Sequence, residues 1–338
     1  MNTDWRSFLQ ESGATFDAAI PDVLHFGDAA GELQAAKSGT VIVPLTHLAI
    51  IECGGEEAKP FLHNQLTSDI NHLGADAAQH SAWCTAKGRM LASFLVWRSG
   101  DAYRLALAAE LAEAVLKRLV MYRLRSKATL ADISDQFLLI GIAGARLAET
   151  LSAAGLPLPE AAMATAGEAA YRVIRLDEKR AVVAVSANLA TDLWRKLATV
   201  ARPVGIPAWR WLDVQAGLPL VTGPTREEFV PQMADFDKIG GVSFHKGCYP
   251  GQEVVARTQY LGKVKRHLFR VVSGQPLQAG DELHSPENPD QAAGKIVSAA
   301  PSPAGGYEAL AVVQFNFADS LHLGSKDGPK VTAVAVNP

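Results

Sequence analysis

Cysteine is scarce in this chain: 338 residues hold three, Cys53, Cys84 and Cys248, and no two form a C-x-x-C pair. That spacing excludes a closed zinc site or a thioredoxin-type dithiol. An odd, sparse set also describes no disulfide framework, which favours a reducing compartment. No run approaches the ~20 apolar residues of a membrane span. The first thirteen residues carry Asp4, Arg6 and Glu11, and so lack the basic start and apolar run of a secretory signal. A soluble, cytoplasmic protein with no membrane partner is expected. Neither charge sign is in excess, the net value being −3, which argues against a surface wholly given to nucleic acid but leaves room for a local basic patch. The nine histidines never fall in His-x-x-x-His spacing, and no permanently bound metal is expected.

What is present is an ordinary globular balance, 48% hydrophobic and 20% charged, with length for about two or three domains. A short amphipathic helix and a polar lead-in fill residues 1–40. Two short strands follow at 41–44 and 48–52, then a helical spacing of Phe61, Leu62 and Leu66. A strand–turn–strand–helix unit is read at 90–124 and again at 171–200, where Asn188 suits an N-cap. Residues 137–142 (strand) and 145–154 (helix) lie between. Residues 155–167 read as a loop, and Pro203, Gly205 and Pro207 mark a break. These units predict antiparallel sheets covered by helices, an α+β class. After about residue 263, short alternating runs between turns predict a small C-terminal β-barrel domain. The expected domains are 1–135 completed by 206–262, then 136–205, then 263–338.

The chemically informative stretch runs from Gly240 to Arg257. Glycines at 240, 241, 247 and 251 let backbone bend or approach a ligand. Pro250-Gly251 suits the centre of a type II turn, which would put Cys248 on an exposed bend. His245 and Lys246 sit beside it, and a nearby cation favours thiolate, the nucleophilic and metal-binding form. Gln252 and Glu253 add polar groups within reach of a ligand. Basic residues continue with Arg257, Lys263, Lys265, Arg266, His267 and Arg270. They suit a solvated face, the carboxylate tail of a small ligand, or an acidic partner such as a nucleic acid. Lys117, Arg118, Arg123, Arg125 and Lys127 would enlarge such a patch.

The run Lys246-Gly247-Cys248-Tyr249-Pro250-Gly251-Gln252-Glu253 resembles the cysteine signature of the folate-binding, YgfZ-type branch of the glycine-cleavage T-protein superfamily. Phe61 to Ile70, including Asp69, resembles that superfamily's F-L-x-x-x-L-T-N-D segment, and Thr85 to Met90, including Lys87, its A-K-G-[KR] turn. Asp213 to Pro219 and Phe229 to Gln232 resemble the approach to the cysteine loop. The resemblance implies a T-protein-like body around a folate site, with Cys248 and Lys246 as the functional pair. It implies cofactor contacts from Gly247, Gly251, Gln252, Glu253, Asp69, Lys87, Gln215 and Arg257. Tetrahydrofolate or a derivative is the implied cofactor. Iron–sulfur client enzymes are the implied partners, with an indirect effect on tRNA modification.

Two departures from the T-protein pattern bear on catalysis. Where aminomethyltransferases carry an aspartate pair after the K-G turn, this chain has Ala92 and Ser93, so no carboxylate is supplied there for acid–base or electrostatic help. Gln215 replaces the usual glutamate before Ala216-Gly217, offering a neutral acceptor in place of a charged one. An accessory role is favoured on these grounds over folate-dependent aminomethyl or methyl transfer, and over a purely tRNA- or protein-binding scaffold.

Overall fold

The computed structural model describes residues 2–260, 262 and 264–336; Lys263 of the basic run lies outside them. The architecture is α+β, with antiparallel sheets and helices packed on them. The chain separates into two compact units. One takes residues 1–61, 71–79 and 95–209, the other 62–70, 80–94 and 210–338.

The first unit is built on a six-stranded sheet in the order Thr165–Gly167, Tyr171–Arg175, Arg180–Ser186, Phe137–Gly144, Thr40–Pro44, Arg202–Pro203. All its pairings are antiparallel except the last, a short parallel one. The first of these strands falls in the stretch expected to be loop. The hairpin turn expected at 177–179 is closed by Asp177. Its Oδ1 accepts the backbone N–H groups of Lys179 and Arg180 at 2.9 Å, and its Oδ2 accepts Arg180 Nε at 2.7 Å. The strand then runs directly into the helix Ala187–Leu197, so Asn188 lies inside the first turn and Ser186 takes the N-cap place. Ala190, Leu193, Trp194 and Leu197 recur at helical spacing and are buried on that helix. Trp194 meets the edge of Trp5 at 5.7 Å between centroids. Trp5 belongs to the helix Thr3–Glu11, whose start is held by the Asn2 side chain accepting the Trp5 N–H at 3.0 Å.

A second sheet of this unit pairs residues 95–99 with Ala102–Ala108, then Leu48–Gly54, then Thr129–Asp132, all antiparallel. The helix Ala109–Arg123 follows, burying Leu111, Ala112, Val115 and Leu119. The lead-in at 1–40 contains a further helix, Ala29–Ser38, which its composition hides. Asp28 caps it through Gly31 N–H at 2.9 Å. Its Glu32 is buried, accepting from Phe26 N–H at 2.6 Å and Gly205 N–H at 2.8 Å. A helix whose inward residue is a carboxylate shows no apolar stripe.

The second unit ends in a six-stranded antiparallel sheet ordered His322–Leu323, Glu282–His284, Gly294–Pro301, Tyr307–Gln314, Arg266–Ser273, Thr332–Ala335. It curls into a half-barrel around Phe269, Val271, Leu283, Ile296, Ala311 and Val313. A bulge between Ile296 and Ser298 breaks the register of the Gly294–Pro301 pairing with Tyr307–Gln314 and adds local bend. Among the described residues no helix is long and apolar enough to cross a membrane.

Candidate functional site

The segments that carry the sequence motifs are the ones the second unit gathers: 62–70, 80–94 and the stretch from 210 onward. Thr67 joins all three. Its Oγ1 donates to the Gly241 carbonyl at 2.6 Å and accepts the Ala82 N–H at 2.8 Å. Its backbone accepts from Ser243 N–H and donates to Ala82 O, each at 2.9 Å. Beside it, Ser68 Oγ donates to Ser81 Oγ at 2.7 Å. A hydroxyl pair buried from water must be matched internally, and this one ties the 62–70 segment to the 80–94 segment.

Lys246 is buried at 9% exposure. Its Nζ donates to the carbonyl oxygens of His63, of Leu66 at 2.6 Å and of Ser68 at 3.2 Å. These carbonyls lie at and just beyond the end of the helix Ala58–Gln65, where a cation complements the helix dipole and the last carbonyls have no helical partner. The Tyr249 ring centroid stands 5.0 Å from the ammonium. Burial pulls the Lys246 ammonium down to about 8, with the nearby Asp69 carboxylate resisting. Three N–H donors meet three acceptors. Lys246 therefore acts on the loop by holding its position, not by a hydrogen bond to the neighbouring sulfur.

Cys248 is exposed, while Cys53 and Cys84 are buried. Burial pushes both of those thiols up to about 12, with Glu52 adding to the effect at Cys53. The expected turn follows: Gln252 N–H donates to Tyr249 O at 3.1 Å across Pro250 and Gly251, and Gly251 has φ +82°, the third position of a type II turn. A β-carbon at Gly251 would also overlap the Thr85 carbonyl and the backbone of Gly88. This backbone-to-backbone crossing brings the Thr85–Arg89 turn against the cysteine loop. Lys87 stands exposed on that turn, with its N–H donated to Thr85 Oγ1 at 3.2 Å.

Gln252 and Glu253 are not loop residues, as the sequence suggested, but open the helix Gln252–Tyr260. Gln252 Nε2 reaches back to the carbonyls of Lys246 and Gly247, both at 3.4 Å. Glu253 is exposed in the first turn, where a carboxylate suits the positive helix end. The helix was not foreseen because Val255 is its single buried residue, so no apolar period marks it. Asp69 Oδ1 lies 3.2 Å from His63 Nδ1. His63 Nε2 faces Gly247, 3.5 Å from where a β-carbon would stand. His63 escaped sequence reading because it stands at a position that the F-L-x-x-x-L-T-N-D pattern leaves open.

Two predicted contacts lie elsewhere in this unit. Gln215 has both ends of its amide engaged: Nε2 donates to Glu308 Oε2 and Oε1 accepts Arg270 Nη1, each at 2.7 Å. The amide joins the helix Ile206–Gln215 to the C-terminal sheet. Arg257 lines a cavity of about 570 Å³ with Lys265 and Arg266, over Met233, Val254 and Val264. Among the described residues the lining holds three cations and no carboxylate. That volume is in the range of small-ligand sites, and apolar walls with cations fit a ligand that joins a ring to carboxylates. Ala92 and Ser93, standing where carboxylates were missed, are buried, and Ser93 Oγ accepts the Val221 N–H at 2.9 Å.

The sequence profile of the GCVT N-terminal domain matches residues 12–243. The tRNA-modifying protein YgfZ of Cronobacter sakazakii is 31% identical over 237 residues, covering 70% of this chain and 72% of that one. Its counterpart from Colwellia psychrerythraea is 31% identical over 257 residues, covering 72% and 76%. Among solved structures, the glycine cleavage system aminomethyltransferase T from Bartonella henselae matches with a TM-score of 0.83 over 100% of this chain and 97% of its own. At 19% identity that match shows a shared fold.

Proposed function

Because the chain belongs to the YgfZ-type branch of the GCVT N-terminal domain family, we propose that it is a folate-binding accessory protein for iron–sulfur enzymes, acting on tRNA modification through them. The observation that carries this reading is an exposed cysteine, Cys248, on a loop held by two segments distant in sequence, 62–70 and 80–94. Thiol exposure is what a transient ligand or nucleophile requires, and the two buried thiols lack it.

Tetrahydrofolate would supply a reduced pteridine able to carry a one-carbon unit. Arg257, Lys265 and Arg266 would hold its carboxylates, while Met233, Val254 and Val264 would offer apolar contact. Gln215, with its amide engaged, positions the Glu308 and Arg270 side chains instead of reading the pterin. Gln252 orients the loop from below. Asp69 and Lys87 lie on the segments that bear on the loop, Asp69 by its charge on Lys246 and His63. The buried Ala92 and Ser93 supply no carboxylate, which weighs against aminomethyl transfer.

The test has two arms. In a strain lacking its own YgfZ, wild type is expected to restore activity of an iron–sulfur tRNA-modifying enzyme and Cys248→Ala to fail at equal protein level. Equilibrium titration should show tetrahydrofolate binding weakened about tenfold by Arg257→Ala, equivalent to the loss of one charge-assisted contact. Full rescue by Cys248→Ala, or no tetrahydrofolate affinity in the wild type, would remove the corresponding half of the reading.

A further inference from the structure

The helix Ala109–Arg123 ends in an unusual way. Ser126 N–H donates to Arg123 O at 2.8 Å, closing a four-residue turn, and Leu124 takes its second position with φ 48° and ψ −109°. Those angles belong to the mirror-image type II′ turn, where glycine is the usual occupant. A branched aliphatic residue there is strained. Burial would offset such strain, yet the Leu124 side chain is 85% exposed. Beside it, Met121 is 64% and Tyr122 45% exposed. The turn thus holds a leucine outward, next to two further large apolar groups, at a place where no described residue covers it.

The charge carried by this stretch itself is of one sign, although Glu56 and Glu57 meet it at Lys127, through the ammonium at 2.9 Å and the backbone N–H at 2.7 Å. From Ala114 to Ala131 the sequence contains no Asp or Glu and five cations: Lys117, Arg118, Arg123, Arg125 and Lys127. Lys127 pairs with Glu56 at 2.9 Å, both side chains being exposed. Arg125 and Lys117 are exposed. Apolar groups set among cations match a partner that joins regular negative charge to flat unstacked faces.

We propose that this helix end is a docking surface for RNA with unstacked bases. Phosphates would lie on Lys117, Arg125 and their neighbours, and Tyr122, Met121 and Leu124 would meet base faces. In choosing RNA among polyanions, the inference rests on the tRNA connection proposed above. It goes beyond that connection by making the contact direct and by placing it on residues separate from the cysteine loop.

Fluorescence anisotropy with labelled, in-vitro transcribed tRNA tests it, with a single-stranded oligouridine and a duplex RNA of equal length as further probes. Wild type should bind the tRNA in a salt-dependent manner and prefer the single strand to the duplex. Leu124→Gly relieves the strained turn, so it should raise Tm while weakening tRNA binding about tenfold. Arg125→Gln should lower the salt slope by about one. Absence of tRNA binding, equal affinity for Leu124→Gly, or a lower Tm in that variant would overturn the proposal. So would binding of a poly-glutamate peptide in preference to RNA, which would mark the surface as a protein dock. Complementation run in parallel separates the two readings. Cys248-dependent rescue without tRNA binding leaves the accessory role standing and removes the dock; tRNA binding with full rescue by Cys248→Ala does the reverse.

Discussion

At residue scale, what distinguishes the three cysteines is access to water, since only Cys248 is exposed. Iodoacetamide at neutral pH should therefore label Cys248 alone in the native protein. Cys53 and Cys84 should react only after denaturation, as peptide mass spectrometry would report. Lys246 makes a different point. The charge beside the cysteine is legible in the sequence, but the acceptors it meets are contributed by residues nearly 180 positions away. Lys246→Met would leave those buried carbonyls unmatched, at a cost of about 2–4 kcal/mol. The same residue carries a pH signature. Its native ammonium titrates near 8, whereas the unfolded chain keeps the proton to 10.5. Between these values the unfolded state binds more protons, so this group makes stability rise with pH across that window. Denaturant titrations at pH 7.5 and 10 should show wild type gaining on Lys246→Met as pH increases.

Among the elements, the cysteine turn depends on Gly251 for two separate reasons, a left-handed backbone and contact with the Thr85–Gly88 turn. Gly251→Ala should destabilise by more than about 1 kcal/mol, beyond the ordinary cost of strained alanine alone, and should impair rescue by displacing Cys248. The turn was readable because Pro-Gly is a local signal. The strands and helices that bury an alternating or helical stripe, such as Ala187–Leu197, were readable for the same reason. Three helices were not. Ala29–Ser38 faces a carboxylate inward, Gln252–Tyr260 buries a single residue, and Ile206–Gln215 begins inside a Pro- and Gly-rich stretch that reads as a break. The strand Ala78–Cys84 hid likewise, because its buried Ser81 interrupts the apolar pattern and is matched only by Ser68. Each of these depends on a partner distant in sequence, which no local window contains.

Across the second unit, Glu308 gathers Trp211 Nε1 at 3.0 Å, Gln215 Nε2 at 2.7 Å and Ser302 Oγ at 2.6 Å. Burial opposes its ionisation, but these donors and Arg270 prevail and hold its carboxyl below the usual carboxylate range. Glu308→Ala would strand three donors and should cost about 2–4 kcal/mol, read as a lower denaturation midpoint. The interleaving of segments 62–70 and 80–94 with the chain beyond 210 also sets a timetable. During synthesis the early pieces leave the ribosome roughly 150 residues before the cysteine loop that they support, a wait on the order of 10 s. Through that interval Thr67 lacks its Gly241 and Ser243 partners, and the carbonyls destined for Lys246 lack theirs. A nascent chain paused short of residue 250 would thus be an early client for a holding chaperone, and the sulfur would settle on its supporting segments only after the chain beyond the loop has emerged.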